Sequence, residues 1–478
     1  MPFDSLECFY FFICIVVVYF VIPFKFRWVA LLCASYYFYM RWNVEYTLLL
    51  FVVTLSTYVC AIQMSKAPSI KNKKIFFVIG LCINLGLLII FKYFNFIQAS
   101  TKTLCSFLSI PYSVKLPDIL LPIGISFYSF RTISYLIDVY RGTVAPEKHW
   151  GIFALYVSFF PSLLAGPIDR AIKLIPQFCC VHKFNAERTR EGLQLILWGL
   201  FKKVVIANHL GVYVDSVYSS LAQQSGLNNL LAAYSYTFQI YCDFSGYSDM
   251  AIGCAKIMGF DLMQNFNLPY FSTTILEFWR RWHISLSTWF RDYVYIPLGG
   301  NRLGLNRALI NLIITMLLCG LWHGANWTFI FWGGLHGLLL CSSRLTFSWR
   351  NRLYKLLAIP TPVIGFIRII ITFHLVCFLW IFFRANTIFD AFMIISKICA
   401  LPLNPQIFHH YSATGIPVYD LIPTIVFLVL MFMYESAQAL AVSILDKPHV
   451  KLIFFSFIFW ITFMWGAFSN QQFIYFQF

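Results

Sequence analysis

Apolar runs close to membrane-spanning length follow one another along almost the whole chain, and no other feature limits its fold as strongly. A transmembrane helix needs about 20 predominantly apolar residues, and such runs recur from Cys8 to Phe468. Of the 478 residues, 60% are hydrophobic and 11% charged, whereas soluble domains carry about 25% charged residues. Too little polar surface is present to cover the chain in water, so the bilayer is its natural solvent. The sequence therefore predicts an all-α polytopic integral membrane protein. It predicts one membrane-embedded domain over residues 1–478, built of roughly ten to twelve transmembrane or re-entrant helices.

The formal net charge of +16 is read against that background. Lys and Arg gather in cytoplasmic loops of membrane proteins, which accounts for the excess without a nucleic-acid partner and leaves membrane lipid as the surrounding partner. The 14 cysteines are scattered, and no CxxC pair occurs. They read as small core residues and not as a disulfide framework. Asp4 and Glu7 precede the first apolar run where a cleaved signal peptide would be basic, so that run is expected to be a retained span.

The basic loop with Lys66, Lys71, Lys73 and Lys74 is expected to face the cytoplasm, which puts the acidic N-terminus outside. Full spans are expected near residues 8–24, 28–40, 46–64, 75–97, 119–139, 193–214, 227–258, 363–383, 421–434 and 452–468. Gly151 to Gly166 is apolar but has basic residues on both flanks, which suggests a re-entrant segment. Glu277 to Arg307 mixes Arg, Trp, Tyr and His and is too polar to face lipid. Backbone of that kind at membrane depth must be buried in protein or line a cavity. Ala308 to Ser343 has no charged residue; fully helical it would be about 54 Å long, so two short crossings or a span plus a re-entrant helix must fit there. No internal repeat is visible, against the matched broken helices of an inverted-repeat transporter.

Polar groups within the membrane are costly, so their clustering marks function. His323 lies in Gly320-Leu321-Trp322-His323-Gly324-Ala325-Asn326-Trp327, with no charged neighbour. Gly320 and Gly324 are expected to leave room for a ligand beside its ring. His283 lies in Glu277-Phe278-Trp279-Arg280-Arg281-Trp282-His283-Ile284-Ser285. The plainer alternative for either is a core histidine bonded to a carbonyl. A neutral imidazole can take a proton from a hydroxyl as it attacks a thioester, and a water-poor pocket protects an acyl group from hydrolysis. No GxSxG elbow supports a nucleophilic serine. Two histidines without HxxxH or HExxH spacing do not make a zinc site, so no metal is expected. Asp243 and Asp249 fall within an otherwise apolar helix, and Arg280, Arg281 and Arg291 are the expected partners. A structural ion-pair network and a catalytic role are both open for them. The same arginines, interleaved with Trp279, Trp282 and Trp289, are read as a lining of the cytoplasmic mouth that meets donor phosphates, because Arg suits bidentate phosphate contacts. Headgroup anchoring is the alternative. Trp322 and Asn326 are expected to line the site.

Together these segments resemble the membrane-bound O-acyltransferase family, and most closely its bacterial branch serving alginate O-acetylation and teichoic-acid D-alanyl transfer. The resemblance is carried by Leu121-Pro122-Ile123-Gly124-Ile125-Ser126-Phe127-Tyr128, Phe159-Phe160-Pro161 and Gly166-Pro167-Ile168, and by the stretch from Tyr241 to Arg302. Trp322-His323-Gly324, Phe383-Arg384-Ala385 and the terminal Phe473-Ile474-Tyr475-Phe476-Gln477-Phe478 complete it. The resemblance implies helices around a central funnel, His323 and His283 as the family's two histidines, and a multi-pass location in a bacterial inner membrane. It implies an acyl donor inside, an acceptor glycan outside and a secreted partner like an SGNH hydrolase. The chain departs from the pattern at Arg131, where Gln is expected, and at Asn208, where Asp is expected.

Acetyl transfer from acetyl coenzyme A, with no bound cofactor, is the first expectation, to alginate-like exopolysaccharide or to peptidoglycan. D-alanyl transfer to teichoic acid from a carrier-protein thioester is the second, and a transporter is the alternative of another class. The tail carries no charged residue after Lys451, and Tyr475 holds the only hydroxyl in its last six residues. Tyr475 is therefore expected to serve as an acyl relay with His323 as general base, an aromatic membrane anchor being the alternative.

Overall fold

A computed structural model describes residues 1–112, 119–401, 421–468 and 473–476. Among these residues the ordered structure is helical. Seven helices are long and apolar enough to cross a membrane: Val44–Lys66, Ile70–Phe107, Ala186–Tyr218, Leu305–His323, Thr361–Arg384, Leu421–Ala439 and Pro448–Trp465. Several run past their expected ends. The helix expected over 75–97 extends from Ile70 to Phe107 through a π-helical turn at Ile89–Tyr93, because nothing in Phe94–Phe107 breaks it. Gln477 and Phe478 lie outside the described residues.

The chain divides into two compact units, Met1–Leu193 with Ala251–Met263, and Gln194–Met250 with Gln264–Phe478. In the first unit, Asn84 joins neighbouring helices through buried hydrogen bonds, donating to Thr57 Oγ1 at 3.1 Å and accepting from Thr132 Oγ1 at 2.6 Å. The apolar segment 151–166 forms a nine-residue helix, Trp150–Ser158, and a short turn, Phe160–Leu163. Nine residues span about 14 Å, too short to cross. The break between them strands carbonyl groups that hydrocarbon cannot satisfy, and Arg131 resolves this. Its buried guanidinium donates to the carbonyls of Tyr156 and Val157 and to both oxygens of Ser162, at 2.9–3.1 Å. The departure at Arg131 is thus a structural one in this chain.

In the second unit, Gly199 and Gly246 bring two helices into backbone contact: a Cβ on Gly199 would lie 2.4 Å from the Gly246 carbonyl oxygen. Small residues at a crossing allow this approach in membranes. The helix then widens into a π-helical turn, Phe201–Ala207, whose residues are all buried, Lys202 and Lys203 included. The uncharged stretch forms a hairpin of two 19-residue helices, Leu305–His323 and Trp327–Leu345, which meets the length argument. Its arms touch at Gly320 and Gly333. A Cβ on Gly320 would lie 2.2 Å from the Phe329 carbonyl oxygen.

Candidate active site

The polar block 277–307 opens with two short helices, Ile275–Arg281 and Ile284–Phe290, and His283 is the hinge between them. Its backbone is left-handed, with φ of 42°, a conformation unfavourable for a residue with a Cβ by about 1–3 kcal/mol. The surroundings hold it there. Ile284 donates its N–H to the Asn265 carbonyl at 2.9 Å, and Ser285 Oγ donates to Asn265 Oδ1 at 2.7 Å. Trp282, wholly buried, stacks on Phe278 with ring centroids 5.5 Å apart and meets Trp380 at 5.0 Å. The imidazole of His283 is therefore aimed by a strained turn that packing and one asparagine over-determine.

His323 is the last residue of its helix. Its ring lies 5.1 Å from Trp332 and 5.3 Å from Phe383. Gly320 and Gly324 do not leave room for a ligand. The space beside Gly320 is taken by the Phe329 backbone, and a Cβ on Gly324 would meet the Phe329 ring at 2.1 Å. These glycines are there for the hairpin's close packing, and they fix where His323 ends up.

Two histidines and the tail tyrosine converge. Ring centroids are 6.5 Å apart for His283 and His323, 6.2 Å for His283 and Tyr475, and 5.6 Å for His323 and Tyr475. Exposure is 0%, 2% and 9% respectively. Phe244 packs against Tyr475 at 4.4 Å and His283 at 4.6 Å, while Trp322 lies 5.9 Å from His283. Such a cluster offers two imidazoles and one phenol in a space largely closed to water, where a proton can leave a hydroxyl without hydrolysis competing.

Other expected site residues are placed differently. Asp243 is buried beside the cluster, but its cationic partner is Lys203, at 2.6 Å, and not an arginine. Asp249 pairs with Lys202, which also reaches Glu435 at 3.2 Å. The arginines are engaged locally or exposed: Arg281 pairs with Glu277 at 2.7 Å, Arg291 with Asp292 at 2.7 Å, and Arg280 is exposed. Asn326 caps the helix Trp327–Leu345, accepting from the Thr328 N–H at 3.1 Å. Sequence reasoning does not single out Lys203, although two adjacent lysines inside an apolar run were the available signal. It also misses His336, fully buried, whose Nδ1 accepts from Trp279 Nε1 at 3.2 Å.

Comparison with known proteins bears on the same residues. The profile of the membrane-bound O-acyltransferase family matches residues 149–388, the segment that holds both histidines. A protein of Azotobacter vinelandii described as probable alginate O-acetylase AlgI is 42% identical over 373 residues, covering 77% of this chain and 72% of its own. The peptidoglycan O-acetyltransferase of Helicobacter pylori is 35% identical over 397 residues, covering 78% and 73%. The teichoic acid D-alanyltransferase of Bacillus subtilis is 30% identical over 267 residues, covering 54% and 67%. With a helical membrane fold and two buried histidines set against a tyrosine, the chain belongs to the membrane-bound O-acyltransferase family and is a multi-pass membrane acyltransferase.

Proposed function

We propose that this enzyme takes an acetyl group from a cytoplasmic thioester, acetyl coenzyme A, and passes it across the bacterial inner membrane for O-acetylation of an extracytoplasmic polysaccharide, an alginate-like exopolysaccharide or peptidoglycan. The observation that carries the proposal is the convergence of His283, His323 and Tyr475. Acetyl is favoured over D-alanyl because the similarity to O-acetylases is higher and covers more of the chain than that to D-alanyltransferases.

In this reading His323 takes the phenolic proton of Tyr475 as the phenolic oxygen attacks the thioester carbonyl. His283 polarises that carbonyl. The new C–O bond forms, the C–S bond breaks, and the departing thiolate receives the proton held by His323. The tyrosyl ester is an aryl ester, and its phenolate is a good leaving group. A secreted SGNH-hydrolase-like partner then accepts the acetyl on its own hydroxyl, Tyr475 recovers a proton, and the partner passes the acetyl to the glycan. This relay answers a geometric difficulty: a polymer outside cannot reach a thioester inside. Arg280, Arg281 and Arg291 would meet donor phosphates at the cytoplasmic mouth.

The test uses membranes supplied with acetyl-labelled coenzyme A. Wild-type protein should acquire hydroxylamine-labile label on the peptide containing Tyr475, and both Tyr475→Phe and His323→Ala should remove that label and glycan acetylation at normal protein level. Full glycan acetylation in Tyr475→Phe refutes the relay, and labelling by D-alanyl carrier protein alone moves the assignment to the second donor.

A further inference from the structure

The terminal tail is held by its main chain as well as by its rings. Ile474 donates its N–H to Asp243 Oδ2 at 2.8 Å, across 231 positions of sequence. The other oxygen of that carboxylate, Oδ1, faces Lys203 Nζ at 2.6 Å. Asp243 and Lys203 are 1% and 6% exposed. The rings on either side of Ile474 seat on the same helix: Phe473 stacks on Tyr247 at 4.6 Å, and Tyr475 packs on Phe244 at 4.4 Å. Residues 243, 244 and 247 share one helical face, so a single turn grips ring, N–H and ring in succession.

The upstream end of the tail is fixed to the turn that carries Lys203. The Ala467 N–H donates to the Val204 carbonyl at 2.9 Å, and the Ala467 carbonyl accepts from Asn208 Nδ2 at 2.7 Å. An amide donates there and an ionised carboxylate cannot, which suits asparagine rather than aspartate at 208. An ion pair inside a membrane protein is costly to bury and stabilises little by itself. A neutralised carboxylate whose second oxygen is spent on a distant backbone has a different use.

We propose that Asp243, neutralised by Lys203, is a positioning residue that clamps the tail main chain at Ile474 and so presents Tyr475 between His283 and His323. This builds on the relay reading above, but the clamp can be read out separately. The experiment uses the full-length protein in membranes with p-benzoylphenylalanine in place of Tyr247. Irradiation then cross-links the helix to the tail peptide, and mass spectrometry measures the yield beside glycan acetylation in the matching unsubstituted protein. Asp243→Asn leaves Lys203 buried without its counter-charge and should lower both readouts by roughly tenfold or more. The double variant Asp243→Asn/Lys203→Met keeps an amide oxygen for the Ile474 N–H without either charge, and should recover most of the loss. Asp243→Leu/Lys203→Met is equally neutral but has no acceptor, and should stay at the low level at normal protein amount. Recovery of tail capture and acetylation in the leucine pair would overturn the clamp and leave the carboxylate a plain interhelical ion pair. Loss of capture in the leucine pair, together with a fully active Tyr475→Phe, would uphold the clamp and refute the relay.

Discussion

Replacing Gly320 with Ala adds one methyl group, yet the structure makes that methyl consequential. The new Cβ would sit 2.2 Å from the Phe329 carbonyl oxygen and 3.2 Å from Gly333 Cα, both backbone atoms of the facing helix. Ordinary contact begins near 3.4 Å, so the two arms must part by about 1 Å at the crossing, and neither side chain can yield in their place. Overpacking of this kind costs about 1–3 kcal/mol. Better helix propensity returns about 1 kcal/mol of that, so the net loss of stability is small. Activity suffers more. His323, the general base of the proposed function, lies one turn further along the displaced arm, and a misplacement of about 1 Å in such a group costs on the order of a hundredfold. The control is Gly334→Ala, next to the contact glycine Gly333. Its Cβ meets only the flexible Leu317 side chain, at 3.3 Å, so it should be active and slightly more stable. Glycan acetylation per unit of membrane protein is the assay, with thermal aggregation in detergent as the stability check. Near-normal acetylation in Gly320→Ala, or an equal loss in Gly334→Ala, would falsify the claim that hairpin closeness sets the histidine.

Two further perturbations test the buried polar links. Asn208→Asp sets a carboxylate oxygen against the Ala467 carbonyl, now 2.7 Å from the amide nitrogen. It should cost about 2–3 kcal/mol at that contact, release the tail and lower acetylation while Asn208→Gln is partly active; unaltered tail capture from position 247 counts against this. Lys202→Met leaves Asp249 and Glu435, which the lysine bridges, without their shared cation. Breaking a buried pair from one side costs about 3–5 kcal/mol, so thermal stability in detergent should drop sharply and partly return when Glu435→Gln is added; an unchanged melting point would show that water already screens the pair.

The sequence discloses one histidine because an ionisable group within a long uncharged stretch has few structural excuses. His323 could be singled out for that reason, and the hairpin followed from the length of the stretch around it, whereas His283 stood out by lying in an Arg- and Trp-rich block too polar to face lipid. The partners of Asp243 and Asp249 could not be read the same way. Arg280, Arg281 and Arg291 are close in sequence and cationic, but local carboxylates already engage two of them, Arg281 with Glu277 and Arg291 with Asp292. Which lysine faces which aspartate depends on the crossing at Gly199 and Gly246 and on the wider turn that follows it. Both are properties of two helices in contact, and periodicity along one chain does not carry them. Gly320 and Gly324 misled for a related reason: a missing side chain signals close approach of something, and the sequence does not say whether that is a ligand or a neighbouring helix.

Four of the polar groups at or beside the cluster sit where a regular helix is interrupted. His283 is a left-handed hinge, His323 is the last residue before a break, Lys203 lies in a π-helical turn, and Tyr475 lies in the tail. An uninterrupted helix presents its side chains on its own surface, and helices that stop or widen add further directions from which groups can reach one point. In hydrocarbon each interruption exposes backbone that must be satisfied by protein. Here the closures are side chains: Asn265 for the hinge, Asn326 for the hairpin break, and Asn208 and Asp243 for the tail. Three of the four are asparagines, neutral groups that accept and donate at once and bring no charge to be neutralised. Asp243 is the exception, and it is also the one that brings its own lysine. A candidate site assembled from interruptions thus ties its proposed chemistry to its closures, so the residues that satisfy the backbone also bear on the distances between the histidines and the tyrosine.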